Sequence, residues 1–278
     1  MTRDPLVPFR RLGPRQVASP LVLAVPHAGQ VYPASLLTDS AVPFELLQQL
    51  EDRHADRLIA GALADGAMAI VARPARAWID LNRAPDEVED PLDPAKPSSA
   101  RVRSGLGLIP SRLNGRPLWR RPPSPEMVAD RLAGVHEPYH QAIAQALATA
   151  ADHFGHAVLV DCHSMPTLRG ASPVRVVIGD LHGRSASRKV TQAALAAVRD
   201  AGWPAALNSP YAGAYTLRRH GSPGDRADAI QVEIDRALYL DRSQMELSSG
   251  VARVSAMLAG LCRAVIAALP FSPALAAE

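Results

Sequence analysis

The sequence predicts an α/β protein in which a mixed, mainly parallel sheet lies between two layers of helices. Predicted strands alternate with predicted helices along the chain, which is the order that βαβ units produce. The strands are continuous apolar runs, such as Leu21-Val22-Leu23-Ala24-Val25, as expected when helices cover both faces of a sheet. With 278 residues, of which 47% are apolar, the chain has ample material for a buried core.

The elements follow one another without a repeat or an interdomain linker, so we expect a single catalytic domain over residues 1–278. Strands are expected at 21–25, 67–71, 77–81, 156–162, 174–178 and 229–234. Helices are expected at 44–63, 125–154, 185–201 and 248–269. The segment at about 86–125, rich in Pro, Arg, Ser and Gly, is predicted to be a long ordered loop or insertion, and 270–278 a frayed tail.

Charge and cysteine content narrow the class of protein. The 30 basic and 27 acidic residues are interspersed, so a net charge of +3 does not favour a nucleic-acid surface. Two distant cysteines, Cys162 and Cys262, make no disulfide framework, and no stretch has the length and apolarity of a signal peptide or a membrane span. We therefore expect a cytoplasmic protein that binds neither nucleic acid nor membrane.

Two predicted strands end in a histidine, and these are the first candidates for a metal site. His27 follows the strand at 21–25, and His163 follows the one at 156–162. Ligands of open α/β sheets bind beyond the carboxyl ends of the strands, and zinc in hydrolases takes His nitrogen and carboxylate oxygen. Asp161, two residues before His163 and so on the same side of the strand, could accept the other ring N–H of that histidine.

Further candidates are acidic and basic residues near predicted element ends. A third metal ligand could come from the acidic cluster that contains Asp52 and His54, although the same cluster is also typical of a solvated helix surface. Glu233 lies inside an apolar strand, where it either serves as a general base or pairs with an arginine such as Arg236. Arg83 offers a fork that matches a carboxylate, unless it is an ordinary surface arginine.

Seven short motifs resemble, in order and spacing, those of the N-formylglutamate amidohydrolases, and they cover most of the chain. They are Val25-Pro26-His27-Ala28-Gly29 with Tyr32-Pro33, Asp52-Arg53-His54, Asp80-Leu81-Asn82-Arg83, His136-Glu137-Pro138-Tyr139-His140, Asp161-Cys162-His163-Ser164-Met165-Pro166, Asn208-Ser209-Pro210-Tyr211-Ala212-Gly213-Ala214-Tyr215 and Gln231-Val232-Glu233-Ile234. This family is distantly similar to zinc carboxypeptidases and acylamino-acid deacylases. The resemblance implies their three-layer α/β/α fold.

The resemblance also implies roles for individual residues. It makes His27 and His163 ligands of Zn²⁺, and Glu233 the catalytic carboxylate. It makes Asn82 and Arg83 the pair that grips a substrate carboxylate, and Arg218 or Arg219 is expected to hold a second one. The metal motif of the distant relatives is His-x-x-Glu, but this chain has Gln30 where the Glu would stand. Asp52 is therefore the expected third ligand, with His54 as the alternative.

The implied activity is hydrolysis of a linear amide, with formate released from N-formyl-L-glutamate or a similar acidic N-acyl amino acid in histidine degradation. The chain is expected to act as a monomer or small homo-oligomer. Two alternatives remain open: a related zinc hydrolase acting on another N-acyl amino acid or a short peptide, and a metal-free binding protein of the same fold. Cys162 is expected to point away from the site as a small buried residue. His136 and His140 are expected to support the site or contact substrate.

Overall fold

In the computed structural model, which describes residues 6–88, 99–168, 170 and 174–270, seven strands form one mixed sheet at the centre of the protein. The sheet order is β1-β3-β2-β6-β9-β7-β8, and β4 and β5 form a separate small hairpin. The strands are β1 (Phe9–Leu12), β2 (Leu21–Val25), β3 (Met68–Ala72), β4 (Arg112–Leu113), β5 (Arg116–Pro117), β6 (Ala157–Met165), β7 (Val176–Gly179), β8 (Ala205–Leu207) and β9 (Ala227–Asp235).

The four central strands β3, β2, β6 and β9 are parallel to one another. β1 at one edge and β7 near the other run antiparallel to their neighbours β3 and β9, which makes the sheet mixed. Side chains of β2 alternate between two cores, with Leu21 and Leu23 in one and Val22 and Ala24 in the other. Both faces of the strand are thus buried, which explains its uninterrupted apolar sequence.

Helices cover the two faces of the sheet. α3, α4 and α8 pack against α10 on one face, and α7 packs on β2, β6 and β3 on the other. The α-helices of the described ranges are α1 (Ala34–Asp39), α2 (Phe44–Gln48), α3 (Ala55–Leu58), α4 (Ala60–Ala64), α5 (Ala100–Arg103), α6 (Pro125–Arg131), α7 (Glu137–Phe154), α8 (Arg188–Asp200), α9 (Tyr215–His220) and α10 (Val251–Ala267). The predicted three-layer α/β/α architecture is confirmed. No helix in the described part of the chain is long and apolar enough to cross a membrane.

Two predicted elements were wrong. The helix expected at 44–63 is instead three short helices, because the chain turns at 49–54 and the backbone N–H of Asp52 donates to the carbonyl of His27. The strand expected at 77–81 is a series of turns held by buried side chains, in which the backbone N–H of Asn82 donates to Asp80. Both departures bring polar residues to the carboxyl edge of the sheet.

Other predictions were incomplete. The strands β1 and β8 were not expected, and both are short edge strands. The helix expected at 125–154 is present, but a π-helical turn, Leu132–His136, separates α6 from α7. The segment at about 86–125 contains α5 and the β4–β5 hairpin, while its residues 89–98 lie outside the described residues. Of the predicted tail, 271–278 likewise lie outside them.

Strand order explains where the polar residues meet. β2, β6 and β9 are neighbours and parallel, so their carboxyl ends lie side by side. His27 follows β2, His163 lies near the end of β6, and Glu233 is directly opposite His163 in the register of β9. Three motifs that are more than 60 residues apart in sequence therefore share one edge of the sheet.

Candidate metal centre and active site

Three donor atoms converge at the carboxyl edge of the sheet. Nδ1 of His27 and Nδ1 of His163 are 3.1 Å apart, and Oδ2 of Asp52 lies 3.2 Å from the first and 3.0 Å from the second. All three residues are buried. Donor atoms on a tetrahedral zinc ion with bonds near 2.0 Å are about 3.3 Å apart, so the spacing fits such an ion closely. The donor set of two imidazoles and one carboxylate is typical of catalytic zinc sites.

Each histidine has a buried carboxylate at its other ring nitrogen. Nε2 of His27 lies 2.7 Å from Oδ1 of Asp80. Nε2 of His163 lies 2.9 Å from Oδ2 of Asp161, as the sequence spacing suggested. Such carboxylates fix the Nε2–H tautomer and leave Nδ1 free to bind a metal.

Nε2 of His163 also has a second neighbour, Nδ2 of Asn82 at 3.1 Å. An amide nitrogen can donate only to an unprotonated ring nitrogen, so Asn82 and Asp161 require opposite tautomers of His163. No described residue donates a well-directed hydrogen bond to either oxygen of Asp161, which is fully buried. Protonation of Nε2 places a donor 2.9 Å from that buried carboxylate, and we assign this tautomer to the state in which Nδ1 binds a metal.

The site strongly perturbs the ionisation of its residues. Burial alone would raise the pKa of Asp52, but hydrogen bonds with His163 and His27 hold that pKa well below its ordinary range. Burial would lower the pKa of His163, yet the charge of Asp161, a hydrogen bond with Asp52 and the charge of Glu233 hold it well above the usual value. The carboxylates of Asp52, Asp161 and Glu233 thus favour a positive charge among them. A divalent cation supplies this charge as well as a proton on His163 does.

Arg236 holds the remaining oxygen of Asp52. Its Nη2 donates to Oδ1 of Asp52 over 3.0 Å, and its Nε donates to the hydroxyl of Ser164 over 3.1 Å. The sequence offered Arg236 as a partner for Glu233, whereas the structure pairs it with Asp52. This bond turns Oδ2 of Asp52 toward the two histidines.

Glu233 lies opposite His163 on β9 and is 9% exposed, the most of any carboxylate in the site. Burial is the main influence on its pKa and raises it, while the charge of His163 acts in the other direction. Its Oε1 accepts a hydrogen bond of 2.9 Å from Nε2 of Gln231, whose own Oε1 accepts one of 3.3 Å from Asn82. A carboxylate with a raised pKa at the rim of a metal site is suited to accept and return a proton.

Asn82 and Arg83, the predicted carboxylate grip, lie in the same turn as Asp80 and are buried. The amide oxygen of Asn82 accepts from the backbone N–H of Thr216 over 2.9 Å. Arg83 donates from Nε to the carbonyl of Leu106 and from Nη1 to the carbonyl of Asn82, both over 2.8 Å. Its Nη2 has no hydrogen-bond partner within the described ranges, so one arm of the guanidinium is uncommitted.

The other predicted substrate arginines lie on α9 and are exposed. Nη2 of Arg218 is 3.8 Å from Oε2 of Glu87, and the side chain of Arg218 is 59% exposed. Arg219 donates to both Glu137 and the hydroxyl of Tyr215. Arg218 therefore has the weaker attachment of the two and the greater freedom to move toward a ligand.

Arg76 was missed from the sequence. Its Nε donates to Oδ2 of Asp80 over 2.9 Å, and neither of its terminal nitrogens has a hydrogen-bond partner among the described residues. Burial would lower the pKa of Arg76, but the charges of Asp80, Asp52 and Glu233 raise it. Its bond to Asp80, which also contacts His27, places Arg76 beside the metal cluster. In an arginine-rich chain, no local signal separated this residue from the others.

Two residues near the candidate ligands do not join them. Nε2 of His54 lies 3.1 Å from the carbonyl of Met245, so this alternative ligand is directed to another loop. Gln30 is exposed and donates to Glu51, which is buried and also accepts from Tyr32 and Arg53. The structure thus brings Asp52, and neither Gln30 nor His54, together with the two histidines.

Cys162 lies between Asp161 and His163 but points into the opposite core, among the apolar side chains of the α8–α10 face. Burial is the main cause of a pKa far above the usual thiol value. The prediction that Cys162 is a small buried residue is confirmed, and its thiol is not available as a nucleophile.

Comparison with known proteins identifies the family of this chain. The family model described as N-formylglutamate amidohydrolase matches residues 19–240, which span all three candidate ligands. The chain belongs to the N-formylglutamate amidohydrolase family. Its members hydrolyse amides, and this protein is accordingly an amide hydrolase.

Relatives of this family member match it over most of their length. The N-formylglutamate deformylase of Pseudomonas aeruginosa is 32% identical over 241 residues, or 80% of this chain and 82% of that one. The N-formylglutamate deformylase of Pseudomonas putida is 28% identical over 81% of this chain and 83% of its own. The crystal structure of N-formylglutamate amidohydrolase from Ralstonia eutropha JMP134 superposes with a TM-score of 0.83 at 29% identity, covering 94% of this chain and 97% of that one.

Proposed function

We propose that this protein is a zinc-dependent hydrolase that releases formate from N-formyl-L-glutamate or a closely similar acidic N-acyl amino acid. One observation carries the proposal: Nδ1 of His27, Oδ2 of Asp52 and Nδ1 of His163 lie 3.0–3.2 Å from one another, beside Glu233. The relatives named for N-formylglutamate support this choice of substrate.

The three residues would hold Zn²⁺ and leave its fourth position open. When bound, the zinc ion would acidify a water molecule and polarise the substrate carbonyl. Asp80 and Asp161 keep the two imidazoles in the tautomer that presents Nδ1, and Arg236 keeps Asp52 turned toward them. These residues thus prepare the site before substrate arrives.

Glu233 is proposed to transfer the protons of the reaction. Its carboxylate would accept a proton from the attacking water and then deliver it to the nitrogen of the leaving amine. Its raised pKa, caused mainly by burial, brings the carboxyl group closer to neutral pH and so suits both steps. Gln231 fixes the direction of the carboxylate through Oε1.

Cations near the site provide charge for the substrate and for the developing oxyanion. We assign the oxyanion to Arg76, because its terminal nitrogens have no hydrogen-bond partner among the described residues and its Nε is bound to Asp80, which contacts His27. Asn82 and Nη2 of Arg83, which has no hydrogen-bond partner in the described part of the chain, are proposed to hold one substrate carboxylate, and Arg218 the second. A dicarboxylate such as glutamate would use both.

A release assay over a small panel of N-acyl amino acids tests the proposal. Protein stripped with a chelator and reloaded with Zn²⁺ is expected to release formate from N-formyl-L-glutamate, more slowly from N-formyl amino acids with neutral side chains, and not at all in the stripped form. Release from every N-acyl amino acid except the acidic ones would assign the protein to another substrate. Absence of stoichiometric zinc together with absence of turnover would contradict the proposal and favour a binding protein.

A variant at Glu233 tests the proton transfers separately. Glu233→Gln is expected to lower kcat by a factor of about 10²–10⁴ while it still binds one zinc ion, because the amide cannot accept a proton. Glu246→Gln, at an exposed position, is the matched control and is expected to retain kcat. Near-normal turnover by Glu233→Gln would refute the assignment.

A further inference from the structure

Three buried histidines outside the metal centre surround the turn that carries Asn82. His136 lies at the end of the π-helical turn, His140 is on α7, and His220 is the last residue of α9. Nε2 of His140 lies 2.9 Å from the carbonyl oxygen of Leu81, and Nε2 of His136 lies 2.9 Å from that of Arg83. We call His136, His140 and His220 the histidine clamp.

Together with Arg83 itself, the clamp satisfies three consecutive backbone carbonyls. His140 donates to the carbonyl of Leu81, Nη1 of Arg83 donates to that of Asn82, and His136 donates to that of Arg83. Strands and helices satisfy carbonyls through their own backbone, but this buried turn cannot. The carbonyls of the two residues that flank Asn82, Leu81 and Arg83, are therefore fixed by histidines from the helical layer, and Arg83 of the same turn binds the carbonyl of Asn82.

The hydrogen bonds determine the tautomer of each ring. His140 uses Nε2–H for the carbonyl of Leu81, so its Nδ1 carries a lone pair. Nε2 of His220 lies 3.0 Å from that Nδ1 and must donate to it. Burial is the main cause that lowers the pKa of all three imidazoles, so each is a neutral donor.

A π-helical turn precedes the part of the helix that reaches the two carbonyls. Turns of this kind insert one residue into a helix and are frequent at functional sites. Here the turn ends at His136, and His136 and His140 lie four residues apart, about one turn of helix, with ring centroids 4.5 Å from each other. α9 completes the arrangement, because its Thr216 donates from the backbone to the amide of Asn82 and its His220 supports His140.

A second metal site is not supported by these rings. Within the described ranges, the group formed by His27, Asp52 and His163 is the one whose ligand atoms converge for a cation. Two of the clamp's rings direct Nε2–H to a carbonyl, and the third directs it to a neighbouring ring. Leucines could fill the same space, but they would leave buried carbonyls unsatisfied. The positions of the clamp therefore require side chains that donate hydrogen bonds to the buried carbonyls or to each other.

We infer that the histidine clamp positions Asn82 and Arg83 for binding the substrate carboxylate, an inference that rests on the proposed function of this pair. The clamp contacts the turn after Asp80. Asp80 itself is held by Arg76 and His27, and the clamp reaches the metal centre indirectly, through Asn82, whose Nδ2 lies 3.1 Å from Nε2 of His163. Loss of a clamp donor therefore weakens substrate binding more than it affects zinc binding or the chemical step.

Steady-state kinetics of two variants at His136 test this inference. His136→Leu removes the donor to the carbonyl of Arg83 and is expected to raise KM for N-formyl-L-glutamate about tenfold or more, with kcat reduced less than threefold. His136→Gln keeps an N–H at the same reach and is expected to return KM to within about threefold of wild type. His153→Leu, at an exposed position of α7, is the matched control and should leave KM unchanged.

Zinc affinity and imidazole spectra provide readouts besides activity. Both His136 variants are expected to bind zinc within about threefold of the wild-type Kd, and long-range ¹H–¹⁵N spectra should show neutral Nε2–H tautomers for His140 and His220. Unchanged KM in a folded His136→Leu variant, equal losses in the Leu and Gln variants, or an Nδ1–H tautomer at His140 would each overturn the clamp. Wild-type protein that releases no formate would instead overturn the proposed function, and with it the substrate that the clamp serves.

Discussion

His220 lowers the free energy of unfolding of the protein as the pH falls, because its pKa is lower in the folded state than in the unfolded state. Its ring is 8% exposed, and burial, with help from the charge of Arg219, lowers its pKa to about 4. An unfolded chain has a histidine pKa near ~6.5. Between these two values the unfolded state binds a proton that the folded state excludes, so a fall in pH favours unfolding. This contribution is complete above about pH 6.5 and is lost as the pH falls toward 4.

The size of the effect follows from the two pKa values. From pH 7 to pH 5, proton uptake by the unfolded state at this one histidine lowers the free energy of unfolding by about 2 kcal/mol. His136 and His140 act in the same direction, but they are present in wild type and variant alike. His220→Gln retains an N–H that can donate to His140 and has no titrating group. Between pH 7 and pH 5 its stability should therefore fall by about 2 kcal/mol less than that of wild type.

Urea unfolding of chelator-treated protein at pH 7 and pH 5, followed by circular dichroism, measures this difference. Removal of the metal keeps protonation of its ligands from entering as a change in zinc affinity. His153→Gln removes an exposed histidine from the end of α7. Between pH 7 and pH 5 its free energy of unfolding should fall by as much as that of wild type. If the loss of unfolding free energy in His220→Gln equals that of wild type within about 0.5 kcal/mol, the inference that His220 is buried and neutral is refuted.

Three further predictions concern the site itself. Asp161→Asn is expected to weaken zinc binding about 10- to 100-fold, because His163 loses the acceptor that fixes its tautomer; a competition titration that gives the wild-type Kd would contradict this. Arg76→Gln should lower kcat about 10²-fold or more with one zinc ion still bound, because the oxyanion loses its cation, and a change confined to KM would point to substrate binding instead. Cys162→Ala should keep kcat within about twofold of wild type, because the thiol faces the opposite core; loss of turnover in the folded variant would refute this orientation.

The parts of the fold that the sequence predicts are those in which local pattern and tertiary environment agree. The apolar runs of β2, β3 and β6 are buried on both faces, so hydrophobicity alone identifies them. The short edge strands β1 and β8 lack that signal, because their residues are only partly buried. The same runs place His27 and His163 at one edge of the sheet, which is why these two residues could be predicted from the strands themselves.

The predicted helix and strand that the structure lacks lie where tertiary contacts override the local preference of the sequence. The apolar residues in 44–63 have helical spacing, but the backbone N–H of Asp52 donates to the carbonyl of His27 and the helix is interrupted there. Residues 77–81 look like a strand, but side chains that are distant in sequence bind the carbonyls of Trp78 and Leu81 and the carboxylate of Asp80. Gln231 and His220 contact Asn82 and His140, which are far away in sequence, so no window of neighbouring residues distinguishes them.

The central claim is that His27, Asp52 and His163 hold a catalytic zinc ion, and anomalous diffraction at the zinc edge tests it most directly. Crystals of zinc-loaded protein are expected to show one strong peak within about 2.0–2.2 Å of Nδ1 of His27, Oδ2 of Asp52 and Nδ1 of His163. Absence of a peak at this position, or a peak bound by His54 or by the Nε2 atoms of the two histidines, would contradict the claim.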